Sequence, residues 1–558
     1  MSILTATLLS LLYFWGNSAF VLGVNWWTVM RPLVSGFLAG VILGDPVKGA
    51  MVGAQINILY LGFIGAGGAL PGDICLAGVV GTTIAITGNL PVETAMALAV
   101  PVGLLGTIIW VVKMTVNTAW VRVAEKMSAK GDTRYYWIPN IVLPQLLLFL
   151  MSFIPCFLMV YFGTDYLKSV IQFLGENIVG VLTTIGGMLP AVGIALTLKS
   201  IFKGESVVFF FFGFLLVQYF GLDMISLGFS AVVFTLIYMQ LKGHKLSAMG
   251  GSLFGAEGNN ENKYVLLDKK TIRKSWLRWI MFNQANYNYE RMQGTGFCHA
   301  MVPVINKLYP DNQGKRAELM QNHMQFFNTE PQWGACIIGL TAALEEKRAQ
   351  GSEEITGDTI TSIKSGLMGP LAGIGDTIDG GVVTPLLLTL FIGITNTGNI
   401  MGVIGYIIVE ALFMWTIYWQ SYKLGYEKGS DAIVTIMESG LINQLILGAS
   451  IMGCLVLGGL VGNYVTLGLK LMVPVGGGVM FNIQEQLFDV ILPGALPLLL
   501  TLGTYKLVKK GLVVCQYYHP GCGGWSGRRT FRNLCIIVRR KYDTGIQIFF
   551  AGRIPAPQ

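Results

Sequence analysis

Apolar runs of about the 20 residues that cross a bilayer's hydrocarbon follow one another in two blocks, with a polar stretch between them. In the first block they lie near 4–23, 26–44, 76–90, 94–112, 137–163, 178–198, 205–220 and 222–240; in the second, near 382–395, 398–420, 443–473 and 487–508. Several are shorter than a full span or broken by glycine, so not all need cross. The pattern predicts an all-α, polytopic membrane protein with re-entrant or broken helices. Met1-Ser2-Ile3-Leu4 carries no basic leader and no small-residue cleavage site, so the first run reads as a transmembrane segment rather than a removed signal.

The polar stretches divide the chain. A membrane unit is expected over 1–240, a cytoplasmic linker over 241–267, a second membrane unit over 268–510 and a basic tail over 511–558. Residues 271–364 mix aromatic and apolar residues with ordinary charge, as in helices packed partly outside the membrane. Lys and Arg concentrate at 113–136, at Lys199 and Lys203, and at 241–280. All three stretches are therefore expected on the cytoplasmic side.

Composition narrows the class further. The 558 residues are 53% hydrophobic and 12% charged, with 71 glycines; soluble chains average about 25% charged and about 7% glycine. The first 112 residues hold five charged side chains, too few to solvate a globular surface, and the apolar content excludes disorder. The net charge of +8 is unevenly placed, since 511–558 carries +6 of it. No basic stripe runs through the body, which argues against a nucleic-acid partner. The cysteines have no metal-ligand spacing and read as packing residues. His244 lies in the linker, and neither His299 nor His323 is followed by a carboxylate or cysteine at ligand spacing, so no metal is expected. The glycine-rich segments lack the Gly-Lys-Ser/Thr ending of a nucleotide-binding loop.

Two segments bring polar groups to membrane depth. One contains Gln55 and Asn57, then the Gly/Pro-rich turn 65–72 and Asp73; the other, 369–381, contains Asp376 and Asp379. Paired Gly/Pro-interrupted segments in two halves point to a transport site, and ionisable residues inside a membrane are costly and usually functional. Gln55 and Asn57 share a face if their stretch is extended. The competing reading is that the glycines allow close helix packing and Asp73 sits at a water-facing turn. A second polar cluster, including Gln284, Asn286, Asn288, Glu290 and Arg291, could line a cavity or hold two units together; spacing favours the structural role.

Longer strings then become informative. RPLVSGFLAGVILGD at 31–45 and GAQINILYLGF at 53–63 resemble the C component (IIC) of the mannose/fructose/sorbose-type phosphotransferase system. NYERMQGTGFCHAMVPVI at 288–305, HMQFFNTEP at 323–331, ALEEKRAQG at 343–351 and GLMGPLAGIGDTIDGG at 366–381 resemble its D component (IID). The likeness covers about residues 1–510. It implies a permease in the bacterial inner membrane that carries a hexose or hexose derivative inward. Cytoplasmic A and B components would phosphorylate the sugar with phosphate derived from phosphoenolpyruvate. It also implies two inverted-related units, a homotrimer in membrane lipid, a core that slides against a scaffold, and no bound cofactor or phosphoryl-transfer site. On family grounds the sugar is held by Gln55, Asn57 and Asp73, with Asp376 and Asp379 contributing from the other side.

Three departures from the family pattern stand out. Asn57 replaces a usual carboxylate and Asp379 is an added acid, which puts mannose itself in doubt and leaves a related hexose, an amino sugar or a sugar adduct. The C and D parts share one chain. After Lys509-Lys510-Gly511 an Arg- and Cys-rich tail replaces a final apolar helix, as a shifted reading frame near 511–513 would produce; Cys515, Cys522, Cys535 and His519 there match no familiar metal site. Two rival functions are an ion-coupled secondary sugar transporter using membrane-embedded Asp residues, and a receptor or scaffold with a vestigial cavity.

Overall fold

Side-chain caps start many of the helices. Ser2, Asp45, Asp73, Asp223, Asp268, Asn312, Glu330 and Thr356 each accept a hydrogen bond from the backbone N–H three residues on, which satisfies a donor that the helix itself leaves open. The computed structural model describes residues 1–19, 25–61, 72–188, 190–242, 266–352, 355–438, 441–469, 472–474 and 480–510. The interior of the expected linker, the turn at 65–71 and the tail at 511–558 lie outside the described residues.

The first unit comprises α1 (Ile3–Asn17), α2 (Pro32–Leu43), α3 (Pro46–Leu59), α4 (Ile74–Thr87), α5 (Val92–Ala129), α6 (Leu143–Met188), α7 (Pro190–Ile201), α8 (Ser206–Phe220) and α9 (Met224–Leu241). The second has α10 (Lys269–Phe282), α11 (Gly294–Leu308), α12 (Gln313–His323), α13 (Pro331–Ala349), α14 (Gly357–Gly375), α15 (Thr384–Asn396), α16 (Met401–Glu438), α17 (Leu441–Tyr464) and α18 (Ala495–Lys509). An antiparallel strand pair, Met472–Pro474 with Met480–Asn482, is a minor addition to the all-α architecture. Among the described residues, Val92–Ala129, Ile138–Gly163, Gly357–Asn396 and Met401–Glu427 are long and apolar enough to cross a membrane. Leu105, Ile108 and Leu412 on these helices are exposed, as lipid-facing residues would be.

Several boundaries differ from the sequence reading. The basic stretch at 113–136, read in sequence as a cytoplasmic loop, is helical to Ala129. Its sequence from Lys113 has no Gly or Pro, and Asn117, Val121 and Ala124 find buried positions. At 1.5 Å per residue α5 is about 57 Å long, well beyond the hydrocarbon thickness. Its end reaches the second unit, where Gln313 Nε2 donates to Lys130 O at 2.8 Å. The runs at 137–163 and 178–198 are largely joined in the 46-residue α6. The segment 369–381 is not a break in the backbone: α14 passes through Pro370 into a π-helical stretch, Asp376–Val383, and on into α15. Gln55 and Asn57 lie on a helix, where a spacing of two places them on different faces. Accordingly Gln55 is half-buried and Asn57 fully buried.

Packing explains part of the glycine excess. A Cβ on Gly40 of α2 would lie 2.7 Å from Gly49 Cα of α3, and one on Gly36 would lie 2.7 Å from Gly53 Cα. The two backbones thus touch along a small-residue seam, and Gly44, at φ +86°, makes the turn between them. The same device joins the units: Gly213 of α8 meets the backbone of Leu455, and Gly458 of α17 meets the backbone of Phe210.

One apolar core draws on both units, with Leu33, Ala54 and Phe214 from the first beside Leu388, Leu455 and Leu498 from the second. A second core belongs almost wholly to the first unit and a third almost wholly to the second.

Candidate functional site

A cavity of about 170 Å³ opens between the units. The first unit supplies Asn17 and Ser18 after α1, the segment Asn25–Trp27 with Arg31, and Trp110 and Lys113 on α5. The second unit supplies Asn283, Gln284 and Tyr287 after α10, Gln293, and the run Asn328–Pro331 leading into α13; Asp376 and Tyr418 complete the wall.

The aromatic groups form a linked row. Trp26 and Trp110 have ring centroids 5.7 Å apart, Trp110 and Tyr287 6.0 Å. Tyr287 OH donates to Asn328 Oδ1 at 2.7 Å, and Tyr406 OH holds Trp27 O at 2.6 Å. Gln293 and Thr329 exchange two bonds: Gln293 Nε2 donates to Thr329 O at 2.9 Å, and Thr329 N donates to Gln293 Oε1 at 3.1 Å. These bonds fix the loop ahead of α13, whose first turn Glu330 caps by accepting from Trp333 N at 2.9 Å. Burial pushes the Glu330 carboxyl well above the usual range, and the Asp379 carboxylate adds to the effect. Aromatic faces beside amides and carboxylates suit a polyhydroxylated ring, because an amide both donates and accepts while a carboxylate accepts from hydroxyls.

Of the residues singled out in sequence, Asp376 and Gln284 line this cavity; the others do not. Asn57 Oδ1 accepts from Leu33 N at 3.2 Å, serving an open donor in the first turn of α2, and its Nδ2 is buried without a partner. Asp73 caps α4 and accepts from Tyr13 OH at 2.5 Å. Asp379 is fully buried behind Glu330, with Oδ1 accepting from Trp333 Nε1 at 3.2 Å and Oδ2 unpartnered. In the second polar cluster, Asn288 Oδ1 accepts from the backbone N–H groups of Glu290 and Arg291, building a turn. Asn286 is buried with neither side-chain atom bonded. Glu290 lies beside Arg291, 3.8 Å away. Arg291 pairs with Glu125 of α5 at 2.7 Å and so ties the units together.

Sequence reasoning missed Asn25, Trp26, Trp110, Lys113 and Asn328. The legible signal was a basic residue at the end of the 94–112 run. Lys113 is 5% exposed, with Nζ 4.9 Å from the Trp110 ring centroid. A cation–π contact of this kind contributes about 0.5–2 kcal/mol.

An ionic cluster lies in the second unit, where buried His323 Nε2 is 3.1 Å from buried Glu345 Oε1 and Arg348 bonds the partly exposed Glu318 at 2.6 Å. Among the described residues no three His, Cys, Asp or Glu side chains gather as metal ligands would.

Two family models match the chain: the sorbose-specific IIC component of the phosphotransferase system over residues 3–237, and the mannose/fructose/sorbose family IID component over 266–517. The mannose-specific EIID component of Escherichia coli (strain K12) is 38% identical over 268 residues, covering 47% of this chain and 94% of that protein. The mannose-specific EIIC component of the same strain is 28% identical over 233 residues, covering 41% of this chain and 86% of that protein. A cryo-EM structure of the mannose transporter ManYZ with microcin E492 includes a chain 39% identical to this one, covering 45% of this chain and 90% of its own, with a TM-score of 0.29.

Proposed function

From the premise that the chain belongs to the mannose/fructose/sorbose family of phosphotransferase membrane components, joining a IIC and a IID component in one polypeptide, we propose that its sugar binds in the cavity between the two units. As a family member it is a multi-pass bacterial inner-membrane sugar permease of a phosphotransferase system. The matched proteins give the ion-coupled alternative no support.

The observation that carries the site is the lining itself. Both units contribute, aromatic rings stand beside amides, and Asp376 comes from a π-helical stretch in a membrane helix; such stretches are frequent at functional sites. In this reading Asp376, Gln284, Asn25 and Asn328 address hydroxyls while Trp110 and Tyr287 offer ring faces. Asn57 and Asp73 hold the helices that position the first wall, and Asp379 backs Glu330. Gln55, on the half-buried side of α3, is not part of the cavity wall.

The unit works with cytoplasmic A and B components, which supply the phosphate, and assembles as a homotrimer in lipid; both statements extend the family reading to this chain. Membrane vesicles holding the chain should take up hexose only when phosphoenolpyruvate and the A and B components are present. Uptake driven by an ion gradient alone would overturn this function.

A further inference from the structure

Resting on the cavity as the sugar site, we propose that its substrate is a sugar derivative bearing a carboxylate, with the ammonium of Lys113 as the counter-charge. Lys113 lines the cavity, is almost wholly buried, and makes no ion pair with the described residues; the Trp110 face is its near neighbour. Buried cations elsewhere are better served. Lys364 Nζ donates to Asn322 O at 3.2 Å, and Arg348 meets Glu318 and Glu345.

No acid among the described residues pairs directly with Lys113. Asp73 acts on it at longer range, and its two oxygens bond Tyr13 OH and Leu76 N. Two cations, Arg31 and Lys113, and two acids, Glu330 and Asp376, line the cavity. Glu330 is turned to the start of α13, where it accepts from Trp333 N, and burial with the neighbouring Asp379 holds its carboxyl above the usual range. Arg31 lies over the Trp27 ring, 5.3 Å from its centroid, with Glu410 within electrostatic reach.

A neutral hexose would occupy the space and leave that ammonium uncompensated. A carboxylate would pair with it in a water-poor site, where an unpaired buried charge is costly. Selectivity follows from the same asymmetry, because a site built around a polar partner rejects the analogue that lacks it. The ring of such a substrate would lie against Trp110, whose face Lys113 already overhangs.

The test uses the purified full-length chain in detergent, with D-glucuronate, D-glucose and D-glucose 6-phosphate as probes, read by calorimetry and by thermal protection. Glucuronate should bind about tenfold or more tightly than glucose. Lys113→Met should abolish that preference, and Lys113→Arg should preserve it. The inference fails if glucose binds the native chain as well as glucuronate, if the phosphate ester binds best, or if Lys113→Met keeps the preference. Should that variant not fold, the ranking on the native chain decides. Glucose binding alone overturns the carboxylate inference and leaves the sugar site standing. Binding of none of the probes overturns the inference, while phosphoenolpyruvate-dependent uptake separately judges the permease reading.

Discussion

The phenol of Tyr13 donates to Asp73 Oδ2 at 2.5 Å, and Oδ1 of the same carboxylate accepts from Leu76 N at 2.8 Å. Asp73 N in turn donates to Gly103 O at 2.8 Å. One buried residue therefore joins α1, α4 and α5 behind the first wall of the cavity. Tyr13→Phe leaves a carboxylate oxygen unpaired and should lower stability by about 1–3 kcal/mol, measured by denaturation of the detergent-solubilised chain. Sugar affinity should change little once the fold is restored at lower temperature. A loss of affinity without a loss of stability would make Asp73 a sugar ligand instead.

Asp376 should behave in the opposite way. It lines the cavity, and its loss removes a charged hydrogen-bond acceptor worth about 1.5–3 kcal/mol to a ligand. Asp376→Asn should weaken sugar binding by roughly 10- to 100-fold with little change in melting temperature, and titration calorimetry beside a thermal melt separates the two effects.

His299 sets a pH dependence. Burial, followed by the nearby Arg278 charge, pushes its pKa down to about 3 from 6.5, so the folded chain keeps it neutral where the unfolded chain binds a proton. Its contribution is complete above about pH 6.5 and is lost as pH falls toward 3, with a slope of about 1.4 kcal/mol per pH unit. His299→Phe, placed near the Phe282 ring, should flatten that part of the stability profile relative to native. Equal slopes in the two chains would contradict the assignment.

The α2–α3 seam should tolerate no side chain. Gly40→Val drives its Cβ into the Gly49 backbone and should cost about 1–3 kcal/mol or more. Gly503 on α18 has nothing within 4 Å of a built Cβ, so Gly503→Ala should be neutral or stabilising by about 0.5–1 kcal/mol. Paired thermal melts check the contrast.

Hydrophobic patterning revealed the membrane class and the division into two units, because burial in lipid leaves long apolar runs that survive in any arrangement. Ends were harder to read. Lys113, Arg122 and Lys126 look like a loop by charge, yet they sit on a helix long enough to leave the membrane. Asp376 and Gln284 were legible as polar groups in unusual places. Asn57 and Asp73 drew attention for the same reason, but Asn57 serves the start of α2, 24 residues away, and Asp73 caps its own helix α4 while holding Tyr13, 60 residues away. Trp26 and Trp110 could not be told from ordinary apolar residues, since only the meeting of the two units turns their faces toward one space.

The contact between α8 and α17 is reciprocal: each helix supplies a glycine recess and a backbone ridge that fills the other's recess. Compatibility between α8 and α17 is thus written in shape. A half borrowed from a relative would have to carry glycine at the positions of Gly213 or Gly458 to dock, so chimeric permeases should succeed or fail on that fit irrespective of the length of the segment joining them.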